Sequence, residues 1–200
     1  MQAITEKSEL TRAAIVGAGL DVAAELGLEA ITLQAVADRI GMSKSGVFSR
    51  IGSREALQIA VVEEYGRRYY AEVFAPALQL PKGLPRLKEI MRRWLARIRN
   101  VEVDTGCIYT AGAFELDDKE CELRDVLLAA VLQWRAMLHR TVTQAIQAGH
   151  LKADTDAKQL VSELNSLAIG LLHDVRFLRD SRAGDRAVAS CERLIRSYQT

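Results

Sequence analysis

Small polar and basic side chains crowd the stretch between residues 43 and 54, a composition suited to holding phosphate groups. The residues that could do so are Ser43, Lys44, Ser45, Gly46, Ser49, Arg50 and Arg54. Small side chains let a helix backbone approach base edges, while lysine and arginine bind phosphates or the edge of guanine. A serine-capped helix start adds backbone N–H groups and a positive dipole end. The stretch therefore predicts a helix that contacts DNA.

Residues that could support catalysis or hold a metal ion form no recognisable pattern. Three histidines stand at unrelated spacings: His139, His150 and His173. Three cysteines show no CxxC spacing: Cys107, Cys121 and Cys191. The chain also has neither a GxSxG motif nor a glycine-rich phosphate loop. We therefore expect no enzyme, no cofactor and no metal site. Redox sensing at Cys107 or Cys121 is left as an alternative, although the glutamates on both sides of Cys121 disfavour a reactive thiolate.

The composition is that of a globular chain whose charge is locally concentrated. Of the 200 residues 49% are hydrophobic, enough for a sizeable core, and the formal net charge is +1. Residues 32–54 nevertheless hold four basic residues against one acidic, whereas residues 115–125 hold six acidic against two basic. No apolar run approaches the roughly 18 to 20 residues that cross a bilayer, and the N-terminus lacks a signal-peptide core. We expect a soluble, cytoplasmic protein with no membrane partner.

Helical periodicity pervades the chain and predicts an all-α fold of about nine helices. The first three helices are expected at about 9–26, 32–40 and 43–51, with Thr32 and Ser43 as N-caps and Gly41 in the turn. Ser53 caps a fourth helix from Arg54 towards residue 73. Three prolines then interrupt the pattern before further helices at about 86–103, 107–117, 121–148, 156–182 and 185–198. These spans indicate an N-terminal unit of about 50 residues and a larger helical remainder.

The order of residues in ITLQAVADRIGMSKSGVFSRIGSREALQIAVVEE resembles the N-terminal DNA-binding domain of the TetR/AcrR family of transcriptional regulators. The resemblance covers about residues 10–65. Its specific elements are the Thr32 start, the ADRIG end of the second helix, the SKSG start of the third and the SRE cap before the fourth. It implies a helix-turn-helix at about 32–51, a DNA-binding domain over 1–53 and a ligand-binding and dimerisation domain over 54–200. The DNA-binding residues it implies are Thr32, Ser43, Lys44, Ser45, Gly46, Phe48, Ser49, Arg50 and Arg54.

This sequence departs from the family pattern at several positions of the motif. The family usually has a tyrosine where Phe48 stands, so a common phosphate contact is missing. Ile51 and Gly52 replace the usual phenylalanine and proline, and Arg54 replaces a lysine while keeping the charge. Arg50 stands where histidine is frequent. We expect Lys44, Arg50 and Arg54 to supply the phosphate affinity.

The resemblance further implies a regulator, most often a repressor, that binds a palindromic operator as a homodimer and releases it when a small effector binds. An activator, a redox-responsive variant and an all-α protein-interaction module remain as alternatives. Two C-terminal stripes of apolar residues fit the pairing of the last two helices with a second subunit. The expected interface residues are Leu164, Leu167, Leu171, Val175, Leu178, Leu194 and Tyr198.

Rings in the middle helices suit a small, mostly apolar effector that is held by few hydrogen bonds. For this role we consider Trp94, Tyr109, Phe114, Trp134 and His173. Each of these side chains could equally belong to an ordinary core. The family further implies that the fourth helix links the DNA-binding domain to the effector pocket, with Arg54 at its DNA end.

Overall fold

The computed structural model describes the backbone of residues 2–200 and the side chains from residue 8 onward. Its α-helices are α1 Gln2–Leu26, α2 Leu33–Ile40, α3 Lys44–Ile51, α4 Arg54–Tyr69, α5 Leu84–Arg97, α6 Val103–Thr105, α7 Ile108–Glu115, α8 Glu122–Gln147, α9 Ala157–Arg176 and α10 Ala183–Ser197. Short 3-10 or π turns occupy Leu28–Ala30, Tyr70–Phe74, Ala75–Gln79 and Ile98–Glu102. Within the described residues the only β pairing is an isolated bridge between Leu151 and Gln199. The predicted all-α class is confirmed, with nine of these helices having eight or more residues.

The chain divides into two compact units, each built from two separate stretches of sequence. The first unit contains the residues up to Arg67 together with Ile108–Ala130, and the second contains Arg68–Cys107 together with Val131–Thr200. The helices α4 and α8 therefore each supply residues to both units. No described helix is long and apolar enough to cross a membrane.

In the first unit, α1, α2 and α3 pack around a small apolar core that α4 completes. The core side chains include Ile15, Leu28, Ile31, Val36, Val47 and Leu57. Gly19 permits the close approach of α1 to α4, because a Cβ at Gly19 would lie 2.5 Å from Cγ2 of Val61. The two short helices α2 and α3 thus share one core with α1 and α4, which neither of them could form alone.

In the second unit, the apolar face of α5 packs against α9 and α10. Its buried side chains include Leu87, Ile90, Met91 and Leu95. The guanidinium of Arg97 is nearly buried and pairs with the carboxylates of Glu72 and Glu102. It also lies 4.8 Å from the ring centroid of Tyr69. A buried cation is therefore held by two carboxylates and an aromatic face, which offset its loss of hydration.

The end of α9 differs from the expectation, since the helix stops at Arg176 rather than near residue 182. The chain turns over residues 177–182, and Arg179 takes a left-handed φ of 54°. Asp180 then accepts the backbone N–H of Arg182 at 2.8 Å, just before α10 begins. Apolar periodicity alone missed this turn, because Phe177 and Leu178 prolong the pattern although both are exposed.

Candidate functional site

Two capped helices and a glycine turn build the predicted helix-turn-helix. The backbone N–H of Ala35 donates to Oγ1 of Thr32 at 3.0 Å, which caps α2. Gly41 ends α2 with φ 67° and ψ 31°, a left-handed conformation that glycine adopts at little cost. The backbone N–H of Gly46 donates to Oγ of Ser43 at 3.1 Å, which caps α3. Local chemistry therefore fixes both ends of α2 and the start of α3.

The third helix keeps one side chain in the core and presents the rest outward. Val47 is fully buried against α1 and α2, whereas Lys44, Ser45 and Ser49 are exposed. Phe48 is 57% exposed, so its phenyl ring lies at the surface beside these polar side chains. The exposed face of α3 therefore combines a cation, hydroxyls and one apolar ring.

The side chains of this face have few partners within the chain itself. Oγ of Ser49 donates to the carbonyl of Gly46 at 2.9 Å, and the hydroxyls of Ser43 and Ser45 lie 3.1 Å apart. A guanidinium N–H of Arg50 donates to Oγ of Ser8 at 2.9 Å. Most N–H groups of Arg50 therefore remain available to a ligand.

Arg54 has a structural role that the sequence did not suggest. Its Nε donates to the carbonyl of Ile31 at 3.0 Å, and a second N–H donates to the carbonyl of Glu29. Both acceptors belong to the 3-10 turn Leu28–Ala30 and the residue after it, which we name the Leu28 turn. Part of the Arg54 guanidinium is therefore engaged with the protein's own backbone.

Side chains from distant parts of the first unit also hold the Leu28 turn. The buried Nε2 of Gln58 donates to the carbonyl of Leu28 at 2.8 Å. The backbone N–H of Glu29 donates to Oε2 of Glu115 at 3.1 Å. Lys119 pairs with the carboxylate of Glu29 and lowers the pKa of that carboxyl, mainly through its hydrogen bond. Residues 108–130 are thus attached directly to the turn that precedes α2.

Helix α7 packs closely on this unit because two glycines leave room for it. A Cβ at Gly112 would lie 2.5 Å from Cδ1 of Leu28, and the hydroxyl of Tyr109 occupies the space beside Gly66 of α4. The rings of Tyr65 and Tyr109 meet edge to face at 5.1 Å. Tyr109 is therefore a contact between α7 and α4 in the first unit.

Four aromatic rings form a buried cluster in the second unit. The ring of Trp134 lies 4.9 Å from Tyr69, 5.0 Å from Phe74 and 4.8 Å from Trp94. The indole N–H of Trp134 is buried and has no hydrogen-bond acceptor among the described residues. Since buried donors are nearly always satisfied, this N–H indicates an acceptor supplied from outside the chain.

The other side chains considered for an effector do not join this cluster. Phe114 is 73% exposed on α7, because it lies two residues, about 200° of helix, beyond Gly112, which faces the core. His173 is exposed, lies 3.1 Å from Oδ1 of Asp174 and contacts the ring of Phe177. Of the five residues considered, the structure brings together only Trp94 and Trp134.

The residues considered for a subunit interface differ in exposure. Leu164 and Leu171 are buried in the core of this chain and have almost no surface to offer a partner. Half-buried are Leu167, Val175, Leu194 and Tyr198, and exposed is Leu178. Two further apolar side chains, Ile169 and Phe177, are exposed beside them. The outer surface of α9 is therefore still partly apolar, although Leu164 and Leu171, which were expected in the interface, face the core of the chain.

Cysteine and metal chemistry gain no support from the described residues. Cys107 is buried and Cys121 is half-buried. Burial raises the pKa of the Cys191 thiol to about 11, so at neutral pH it is almost entirely protonated. No group of three potential metal ligands occurs in the part of the chain that the structure describes.

Comparison with known proteins gives one family and many similar folds. The family model for the tetracyclin repressor-like C-terminal domain matches residues 83–191. A TetR-family transcriptional regulator from Cytophaga hutchinsonii is 22% identical, with 97% of each chain covered and a TM-score of 0.82. One from Chloroflexus aurantiacus is 20% identical, with 97% of this chain and 98% of that chain covered and a TM-score of 0.86. A proposed regulator from Saccharomonospora viridis, solved with choline, is 16% identical, with 94% and 96% covered and a TM-score of 0.80. No curated protein sequence matches the chain.

The substitution Gly112→Ala tests the packing of α7 on the Leu28 turn. Its Cβ would meet Leu28 at 2.5 Å and Leu127 at 3.0 Å, so we expect the free energy of unfolding to fall by about 1–3 kcal/mol. The control is Gly17→Ala, whose Cβ would meet no atom within 4 Å and should stabilise α1 by up to about 1 kcal/mol. Urea denaturation at one protein concentration measures both variants. Equal stability of the two would contradict the packing.

Proposed function

Because the chain belongs to the tetracyclin repressor-like (TetR) family of transcriptional regulators, we propose that it is a repressor that binds a palindromic operator as a homodimer and releases it on binding an effector. Members of this family are DNA-binding regulators and not enzymes. The observation that carries the proposal is the exposed face of α3, where Lys44 and Phe48 stand beside a capped helix start. Such a helix fits the major groove, and two copies would cover two half-sites.

Within the proposed interface the side chains of α3 have different tasks. Lys44 and Arg50 bind phosphates, because each carries charge that no carboxylate of the described chain neutralises. The N–H groups at the start of α3 suit a further phosphate. Phe48 adds apolar contact without a hydrogen bond, and Arg54 acts indirectly by holding the Leu28 turn. Affinity therefore depends on few charges in each subunit.

The proposed subunit interface uses the exposed surface of α9 and the half-buried side chains of α10. Small residues follow one another along α9 at intervals of four, which lets a partner helix approach closely. They are Ser162, Ser166 and Gly170. Ile169 and Phe177 flank this line with exposed apolar surface, whose burial in a dimer is favourable. This surface replaces Leu164 and Leu171 as the centre of the proposed interface.

The proposed effector site is the aromatic cluster around Trp134. Its rings favour an apolar molecule, and the indole N–H calls for an acceptor on that molecule. The relative from Saccharomonospora viridis was solved with choline, a quaternary ammonium ion. In this chain the guanidinium of Arg97 already covers the ring of Tyr69, so that aromatic face is not open to a second cation. Since Arg97 is also paired with two carboxylates, the charges beside the cluster offer nothing to an anion, and we propose a neutral effector.

Effector binding would change the position of α2 and α3, which together we call the reading head, through the Leu28 turn. Glu115 and Lys119 attach residues 108–130 to this turn, and Thr32, the N-cap of α2, follows it directly. Helix α8 continues without a break from Glu122 to Gln147 and includes Trp134. A shift of α8 or α7 that accompanies effector binding would therefore change the position of α2 and α3. Such a change alters the separation of two heads on the operator.

The DNA-binding role is tested by salt titration with duplex DNA of random sequence. Lys44→Gln and Arg50→Gln should each remove one phosphate contact per subunit. In a dimer this lowers the steepness of the plot of log binding constant against log salt concentration by about 2. Ser8→Ala removes the partner of Arg50 but leaves its charge, and Phe48→Ala removes no charge, so both should keep the wild-type slope. Slopes that are identical in all four variants would place the interface elsewhere.

The proposed subunit interface is tested with Ile169→Glu, which puts a charge beside Gly170. Each dimer would lose two buried isoleucines at about 1.5 kcal/mol each, so the dissociation constant should rise at least about 100-fold. Analytical ultracentrifugation across protein concentrations measures this. The control Leu78→Glu changes a side chain of similar exposure outside α9 and should leave the dimer intact. A dimer that tolerates Ile169→Glu would contradict the interface.

The proposed effector site has its own optical probe, since Trp94 and Trp134 are the only tryptophans of the chain. In a screen of small compounds, we expect those that release DNA to change tryptophan fluorescence. Trp134→Phe should weaken their binding about 3- to 10-fold through loss of one hydrogen bond, and Phe114→Ala should have no effect. Compounds that release DNA without a fluorescence change, and that bind Trp134→Phe normally, would contradict the site.

A further inference from the structure

An open polar cleft lies in the second unit between the segment after α5 and the turn that joins α9 to α10. Its volume is about 700 Å³. The side chains with chemical interest that line it are Arg99, Asn100, Arg176 and Arg179. A cleft of this size accommodates a small metabolite. None of these residues belongs to the aromatic cluster or to the DNA-contacting face.

The three arginines approach the cleft from different elements. Arg99 extends from the π turn Ile98–Glu102 and lies across Gly184, where a Cβ would come within 2.6 Å of its Cδ. Arg176, the last residue of α9, donates to the carbonyls of Glu102 and Val103 at 3.3 and 3.4 Å. These two bonds use one of its N–H₂ groups and leave the other edge of the guanidinium for a ligand.

The backbone conformation of Arg179 also distinguishes this cleft. It is the only residue other than glycine with positive φ among the described residues. Such backbone is uncommon for a side chain of this size, and strained residues of this kind cluster at binding sites. The guanidinium of Arg179 has no hydrogen bond or ion pair to any described residue.

The acidic groups around the cleft do not neutralise these arginines completely. Asp180 pairs with Arg186 and accepts the N–H of Arg182, and these bonds lower the pKa of its carboxyl. Asp185 lies 3.5 Å from Arg99 but is 79% exposed, so water screens the pair. Asp104 also lines the cleft. Arg176 and Arg179 thus have no carboxylate partner in the described chain.

We propose that this cleft is a second small-molecule site, which binds the phosphoryl group of a phosphorylated metabolite. Three guanidinium groups can donate to more oxygens than the two of a carboxylate, so they suit the several oxygens of a phosphate better. The remaining volume has room for an organic part, and Asn100 offers it an amide. The site goes beyond the proposed function, because it needs neither DNA nor the aromatic cluster.

The test measures the binding of inorganic pyrophosphate by calorimetry at constant ionic strength in the absence of DNA. The wild-type chain should bind it with a saturable isotherm. Arg179→Gly should weaken binding about tenfold or more, since charge-assisted hydrogen bonds are lost. Because glycine relieves the strained backbone, the same variant should unfold at a higher urea concentration than wild type. Weaker binding in a more stable protein cannot result from misfolding.

A control variant outside the cleft and a titration with duplex DNA show whether the cleft binds a free phosphate compound or the DNA backbone. Arg140→Gln removes an exposed arginine of α8 outside the cleft and should bind pyrophosphate like wild type. Absence of saturable binding, or unchanged affinity in Arg179→Gly, would overturn the proposal. So would a loss of duplex DNA affinity in Arg179→Gly, in phosphate-free buffer, as large as that in Arg50→Gln, because the cleft would then serve the DNA backbone. Failure of the DNA titration with Lys44 and Arg50 variants would leave the pyrophosphate result standing.

Discussion

The hydrogen bonds to the Leu28 turn are the interaction on which the DNA-binding unit depends. A three-residue 3-10 turn cannot satisfy its own backbone groups, and unpaired buried groups are costly. Gln58 and Arg54 of α4 bind its carbonyls, while Glu115 of α7 accepts its N–H. The turn therefore fixes the start of α2 relative to α4 and α7. Because Val36 and Val47 share the core, α3 follows wherever α2 is placed.

This arrangement gives the acidic segment after α7 a function other than solvation. Lys119 donates to the carboxylate of Glu29, whereas Glu115 accepts the backbone N–H of the same residue. Both contacts are exposed, and the exposed ion pair between Lys119 and Glu29 contributes little to stability. Their weakness suits a connection that changes during regulation, whereas the tight packing of Gly112 on Leu28 keeps α7 attached throughout.

Local signals in the sequence were sufficient for the helices of the reading head. Thr32, Gly41 and Ser43 act within three or four residues of their partners, so spacing alone located both caps. The contact of Glu115 with Glu29 joins residues 86 positions apart, and no periodic pattern in the sequence indicates it. The same limit applies to α9, since a stripe of leucines does not reveal which of them face the chain's own core. Arg54 was assigned by charge, and only its distance to two carbonyls shows its structural role.

The departures from the family motif fit a regulator that needs both subunits. With Phe48 in place of the tyrosine usual in the family and Arg54 bonded to the Leu28 turn, each head of the proposed operator complex would have few charged contacts with DNA. In the proposed dimer, the second head binds as an intramolecular event, so affinity rises steeply when both heads fit and falls when their separation changes. Strong phosphate binding by a single head would weaken this dependence. Modest affinity per head would therefore make the proposed operator complex sensitive to a small shift of α2 and α3.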